Sequence, residues 1–187
     1  MDVLELWNKF DSVSIGASLD AEGPRAELMR KGTKWSETIA NRKRMMEVCP
    51  DVDFYISSTV GLTNALHVVD FHKSWVEQGL IKPQDFNFNL LQWPVWQRMD
   101  ILPQEYKQQI EDKYTEHIKW LEAHDKLTRA YKGFESAIKW MNDKDNTKHL
   151  PMFFDFTKKY DKVRSEKLTE VFPEWKELFD KYDTVKT

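Results

Sequence analysis

Residues 12–20 read SVSIGASLD, and apolar and small polar side chains alternate along them. The same period of two recurs in residues 53–60 and 85–91. Alternation of this kind predicts β-strands with one apolar and one polar face. The polar positions are Ser14, Ser18, Asp20, Tyr55, Ser57, Thr59, Asn87 and Asn89. We therefore predict three strands whose polar side chains share one face of a sheet.

Helices separate the predicted strands. Apolar residues at helical spacing predict helices over residues 34–48 and 64–78, and Gly79 suits the C-terminal end of the second. Alternating strands and helices predict βαβ units, in which the strands are parallel, and hence the α/β fold class. A parallel sheet that is covered on both faces has continuously apolar strands, whereas the predicted strands each have one polar face. We therefore predict part of a (β/α) barrel whose polar faces line a lumen; the alternative is a half-solvated sheet.

The second half of the chain predicts α-helices. Apolar stripes at helical spacing begin near Pro103, Leu127, Phe153 and Val171, and a polar connector covers residues 142–149. We expect residues 1–100 to form the partial barrel of three βα units and residues 101–187 to form a helical C-terminal region. The competing picture is a mostly helical bundle with short strands, and antiparallel pairing among the strands would favour it.

Composition excludes several classes of protein. The chain has 187 residues, 41% of them apolar, and a formal net charge of −3. This length and apolar content suit one globular domain. The near-neutral charge argues against a nucleic-acid partner, and no run of about 18 apolar residues suggests a membrane span. We expect a cytoplasmic location, because the first residues lack the basic-then-apolar pattern of a secretory signal. Neither GxGxxG nor a P-loop occurs.

Metal chemistry has little support in the residues. Cys49 is the only cysteine, so the chain alone has too few thiolates for an iron–sulfur cluster or a structural zinc site. His67 and His72 are five residues apart, which is a poor match to one helical face. His117 falls on an apolar stripe, where a core histidine is the common case. We therefore predict no metal site.

Four segments, taken in order, resemble radical S-adenosylmethionine (radical SAM) proteins with a twitch-type C-terminal region. Residues 14–35, SIGASLDAEGPRAELMRKGTKW, are similar to the fourth barrel strand of that family and its following loop. Residues 57–64 and 87–94 resemble the ends of the fifth and sixth strands. Residues 160–175 resemble the segment that closes the group's sequences. The resemblance implies the second half of a radical SAM barrel followed by its helical tail.

The resemblance also implies site residues. Ser18 would reach the cofactor S-adenosylmethionine, and Arg30 would pair with its carboxylate, for which a guanidinium is well suited. The cofactor-binding set is Ser18, Asp20, Arg30, Ser57 and Asn64. Asn87 and Asn89 would contact substrate in the lumen. For these positions we also weigh local structural roles: backbone bonding by Ser18, a surface ion pair for Arg30 and helix capping by Asn64.

The chain departs from the family in the segments that hold the cluster and the methionine amino group of the cofactor. The CxxxCxxC loop and the GGE segment are absent. A [4Fe–4S] cluster therefore requires a missing N-terminal half or a partner chain that supplies the cysteines. We expect a truncated product, a split subunit or a fragment that is not catalytically competent alone and pairs with an N-terminal half-barrel or with itself.

The alternative function is a non-catalytic interaction or self-associating module. No catalytic residue is assigned; Asp20, Glu22 and Arg25 suit acid–base chemistry or loop orientation.

Overall fold

The computed structural model describes residues 2–124 and 129–185. Its sheet has three strands, β1 (Ser14–Ala17), β2 (Asp53–Val60) and β3 (Phe86–Leu90), in the order β1-β2-β3. Both neighbouring pairs are parallel. The α/β class and the three adjacent parallel strands are confirmed.

The helices of the described chain follow the predicted alternation. Their bounds are α1 Val3–Trp7, α2 Gly23–Met29, α3 Trp35–Val48, α4 Val68–Glu77, α5 Gln104–His124, α6 Arg129–Asp143, α7 Leu150–Arg164, α8 Leu168–Val171 and α9 Lys176–Val185. Short 3-10 turns occupy Val95–Gln97, Met99–Ile101, Thr147–His149 and Pro173–Trp175. Within the described ranges, none of these helices is both long and apolar enough to cross a membrane.

Some boundaries differ from the prediction for local reasons. β1 ends at Ala17 because Leu19 N donates to Ala17 O at 3.0 Å, which turns the chain out of the sheet. The last helix, predicted with Pro173 at its start, opens there as a 3-10 turn and continues as α9. Val171 of its apolar stripe lies in α8, because Phe172 has a non-helical backbone (φ −119°, ψ 73°), as expected for the residue that precedes a proline. The predicted start of the sixth helix, Leu127, lies outside the described residues.

The register places the apolar side chains of the sheet on one face. Ile56 pairs with Phe86, and Ser58 pairs with Phe88. The helical region packs on this face so closely that a Cβ added at Gly133 of α6 would lie 2.5 Å from the Phe88 Cβ. A single buried cluster therefore joins residues from both predicted regions of the chain.

Candidate functional site

Polar residues gather where β1 and β2 end. Asp20 lies three residues beyond β1, and Gly61 and Asn64 follow β2. Because the two strands are parallel, their carboxyl ends meet at one edge of the sheet. This edge is where ligands bind in open α/β sheets and in (β/α) barrels.

The Asp20 carboxylate joins three parts of this edge. Its side chain is 9% exposed. Oδ1 accepts a hydrogen bond from Thr59 N at 2.8 Å, and Oδ2 accepts one from Arg30 Nε at 2.7 Å. A buried carboxylate is stable when it is paired and hydrogen-bonded in this way. Asp20 therefore holds the loop after β1 against the end of β2 and fixes the direction of one guanidinium.

Arg30 keeps donor capacity beyond its pair with Asp20. The side chain is 41% exposed, and only Nε contacts the carboxylate. No hydrogen bond from either Nη atom is found in the parts of the chain that the structure describes. A guanidinium held through Nε presents its two Nη groups as a fork suited to a carboxylate or phosphate. The arrangement suits recognition of an anionic group at this edge.

Asn64 acts as a brace. It is fully buried; Nδ2 donates to Asp20 O at 2.8 Å and to Thr59 O at 3.1 Å, and Oδ1 accepts from Gly61 N at 2.9 Å. The predicted helix start at residue 64 is wrong, because residues 62–67 form turns and α4 begins at Val68. The Asn64 side-chain amide forms hydrogen bonds with backbone groups at the turn between β2 and α4. Its alternative role as a helix cap is therefore not observed.

A cavity of about 180 Å³ opens beside this network. Gly61 is needed there, because a Cβ at this position would lie 2.6 Å from Gln97 O. That carbonyl also accepts a hydrogen bond from Leu62 N at 2.7 Å, which brings the segment after β3 against the end of β2. The lining comprises Asp20, Met29, Thr59, Gly61, Thr63, Asn64, Leu91 and Gln97. Its volume is below the range of about 300–1,000 Å³ that is usual for complete ligand pockets.

The polar face of the sheet is largely uncovered. The Tyr55 ring lies across Gly16, where an added Cβ would come within 2.8 Å of it. Further along the face, Asn89 Nδ2 donates to Ser57 Oγ at 3.0 Å. Asn87 pairs in register with Ser57 and is half-buried. The predicted substrate residues thus share one accessible face with Ser57.

The predicted site residues fall into two groups. Asp20, Arg30 and Asn64 are joined by hydrogen bonds through Asp20 and lie at the carboxyl edge. Ser18 is exposed just beyond β1, and no hydrogen bond of its side chain is found within the described ranges. The second group is Ser57, Asn87 and Asn89 on the uncovered face.

Sequence reasoning missed several residues that line the cavity. Met29 and Gln97 have no local pattern that marks them, since each enters from a segment outside the strands. Gly61 carried a usable signal, because a glycine directly after a strand often marks a close approach of another backbone. Thr59 was assigned to the polar face, but its contribution to the network is its backbone N–H.

Glu22, which precedes α2, and Arg25 in its first turn make structural contacts. Glu22 Oε2 accepts a hydrogen bond from Ser74 Oγ at 2.9 Å, and burial raises the pKa of this carboxyl. Arg25 forms two hydrogen bonds to Glu174, at 2.8 and 3.1 Å. These bonds tie the loop and α2 to α4 and to the C-terminal region, which is the loop-orienting role.

Neither metal ligands nor relatives add to this geometry. Among the described residues, no group of three or more His, Cys, Asp or Glu side chains is placed to hold a metal ion. No known family model matches the chain, and no curated protein or solved structure is significantly similar to it.

Proposed function

We propose that this chain is the second half of a radical SAM-like barrel and contributes part of the surface that binds S-adenosylmethionine and substrate. Three parallel strands in sequential order, with helices against one face and a polar opposite face, are what half of such a barrel wall requires. The chain is not catalytically competent alone. An N-terminal half-barrel would complete the lumen.

The observation that carries the proposal is the orientation of Arg30 by Asp20. The 2.7 Å contact holds the guanidinium at the carboxyl edge of the sheet, beside the cavity at the end of β2. The unpaired Nη groups suit the carboxylate of S-adenosylmethionine, and Ser18 offers a hydroxyl nearby in sequence. Ser57 and the two asparagines of β3 would face the ligand across the lumen.

The residues present do not fit an iron–sulfur cluster. Cys49 ends α3, is 2% exposed and is the only thiol of the chain. A cluster with one iron open to the cofactor needs three thiolates, which the partner half-barrel would supply. This chain's own part would be to bind and orient the ligand, and the cluster chemistry would belong to the partner half-barrel.

Calorimetric titration of the full chain with S-adenosylmethionine tests this proposal. We expect a Kd on the order of 1 mM, because half of the contacts are absent and each remaining hydrogen bond competes with water. Arg30→Ala should weaken binding about tenfold, as expected for a charge-assisted hydrogen bond. Arg44→Ala is the matched control, since Arg44 lies on α3 and pairs with Asp2.

Two results contradict the proposal. One is equal affinity of the Arg30→Ala and wild-type chains. The other is the absence of heat change in wild-type protein at about 10 mM ligand, well above the expected Kd.

The second candidate function is a non-catalytic module that associates through its sheet. The observation in its favour is that β1 has no neighbour on its outer side in the sheet of the described chain. An unpaired strand edge is a template for another strand. The oligomeric state of the isolated chain separates this candidate from a ligand-binding half-barrel.

A further inference from the structure

A second cavity, of about 240 Å³, lies between α2 and α7. It adjoins the cavity beside Asp20, because Met29, Thr63 and Gln97 line both. Its apolar lining comes from Leu28, Met29, Phe153 and Leu168. An engineered apolar cavity of about 150 Å³ holds a benzene molecule, so this volume accommodates an aromatic ring with a short side arm.

Thr157 places a hydroxyl in the wall of this cavity. The residue is 5% exposed, and its side chain has no hydrogen-bond partner among the described residues. A threonine within a helix commonly bonds to the carbonyl four residues earlier, but no such bond forms here. The hydroxyl keeps contact with solvent, and it can exchange hydrogen bonds with a ligand group in the cavity.

Glu166 contributes an acceptor without a partner. Its Oε2 is buried and has no partner, while Oε1 forms an ion pair with Lys31. The Lys31 side chain is 42% exposed, and ion pairs with that much solvent contact stabilise little. The Glu166 carboxylate can therefore turn toward the cavity at small cost, and a carboxylate only accepts hydrogen bonds.

The cavity carries charges of both signs. Its lining contains the carboxylates of Asp161 and Glu166 and one guanidinium, that of Arg164. Arg164 is already engaged, with its guanidinium 5.1 Å from the Tyr160 ring centroid. Burial and the charge of Glu166 raise the pKa of Asp161, whereas the hydrogen bond from Leu168 N and the charges of Lys167 and Arg164 lower it. An ammonium group in the cavity would give the buried Glu166 Oε2 the partner that it lacks.

We infer that this cavity binds a small ligand with an apolar body and a protonated amine, whose ammonium group donates to Glu166 and Thr157. The apolar body would pack against Leu28, Phe153 and Leu168. This inference goes beyond the proposed function and does not depend on it, because neither S-adenosylmethionine nor a partner chain is needed. The shared lining residues would place such a ligand next to the cavity beside Asp20.

Three probes of similar shape test the inference on the full chain: phenethylammonium, 2-phenylethanol and 3-phenylpropanoate. Backbone amide NMR shifts on titration give both the affinity and the location. We expect phenethylammonium to bind with a Kd on the order of 1 mM, in keeping with nine non-hydrogen atoms, and to shift the amides of α2 and α7. It should bind about tenfold more tightly than 2-phenylethanol, because its hydrogen bond is charge-assisted.

Variants then assign the ammonium contact. Glu166→Gln should weaken phenethylammonium about tenfold and leave 2-phenylethanol unchanged, because only the charged contact is lost. Glu170→Gln makes the same charge change at an exposed position of α8 and should alter neither affinity. Thr157→Val keeps the side-chain shape and should weaken phenethylammonium by a smaller factor.

The ranking of the three probes on wild-type protein tests the inference even if a variant fails to fold. Tighter binding of 3-phenylpropanoate would overturn it, since Arg164 would then be the recognising group. Equal binding of all three probes would also overturn it, because the cavity would be only an apolar hole. Shifts confined to residues away from α2 and α7 would refute the location.

Discussion

His72 Nδ1 lies 2.9 Å from His117 Nε2 in the buried layer between α4 and α5. The geometry assigns the tautomers. His72 Nε2 is 3.0 Å from Pro83 O and must donate to it, because a carbonyl only accepts. His72 Nδ1 is then the acceptor and His117 Nε2 the donor. Both rings are neutral, and His117 Nδ1 is left buried without a partner.

The first prediction is a loss of stability in mild acid. Burial lowers the pKa of His72 to about 3 and that of His117 to about 2, and burial and Arg25 lower that of His67 to about 4. Below about pH 6.5 the unfolded chain takes up protons that the folded chain does not. The free energy of unfolding should therefore fall by up to about 4 kcal/mol per pH unit between roughly pH 6 and pH 4. Urea denaturation at a series of pH values measures this slope.

Two variants assign the slope to buried histidines. His67→Leu removes one titrating ring and should reduce the slope by about a third, or about 1.4 kcal/mol per pH unit. His124→Gln, at an exposed position at the end of α5, is the matched control for the loss of a histidine. A slope that is flat from pH 7 to pH 5 would contradict the buried, neutral pair.

The second prediction concerns the brace at the carboxyl edge. Asn64→Ala would leave Gly61 N, Asp20 O and Thr59 O without their present partner. We expect a loss of about 2–4 kcal/mol in the free energy of unfolding, because each unsatisfied buried group costs about 1–3 kcal/mol and partial relaxation offsets part of the sum. Chemical denaturation measures this loss.

Asn87→Ala is the matched control for the brace. Asn87 is half-buried on the uncovered face, and no hydrogen bond of its side chain is found within the described ranges. Its removal should change stability by less than about 0.5 kcal/mol. Equal losses at positions 64 and 87 would show that the network at the carboxyl edge contributes nothing specific.

These residues also show what sequence reasoning can reach. The period-two alternation predicted both ends of β2 correctly. Each buried position, from Phe54 to Val60, alternates with a more exposed one. The pattern could not locate the end of β1, because the chain leaves the sheet through a turn while the apolar alternation continues to Leu19. Local periodicity predicts faces, and tertiary hydrogen bonds decide where a strand ends.

The site was harder to predict than the sheet. Asp20, Arg30 and Asn64 were selected, and the structure brings them together at one edge. Their individual roles were not predictable. Whether a side chain forms structural hydrogen bonds or is free to contact a ligand depends on distant backbone atoms such as Thr59 N and Gly61 N. The pairing of His72 with His117 was equally hidden, since 45 residues separate them in sequence.

The third prediction is that the isolated chain associates through β1. Val13 O accepts from Asp53 N at 2.9 Å, and residues bonded to a parallel neighbour alternate along a strand. Ser14 and Gly16 therefore direct their backbone groups away from β2. This free edge should pair with another copy, and light scattering should detect dimers at tens of micromolar.

Substitutions at one position test the edge. Ser14→Pro removes an outward N–H without breaking the β1–β2 ladder and should shift the chain toward monomer. Ser14→Ala removes the same hydroxyl bond to Asp53 but keeps the N–H, and its association should match that of wild-type protein. A strictly monomeric wild-type chain at these concentrations would refute association through the edge.

The last prediction concerns the cluster. Reconstituted anaerobically with iron and sulfide, the isolated chain should hold no stoichiometric [4Fe–4S] cluster. The reason is ligand count, because Cys49 is the only thiol, against the three that a cluster with an open iron requires. Its position adds a second obstacle, since the side chain is buried at the end of α3. Visible absorption and iron content per chain measure the outcome, with Cys49→Ala as the control. A stable brown protein with about four irons per chain, unchanged in Cys49→Ala, would overturn the ligand-count argument and the assignment of the chain as the half-barrel without the cluster loop.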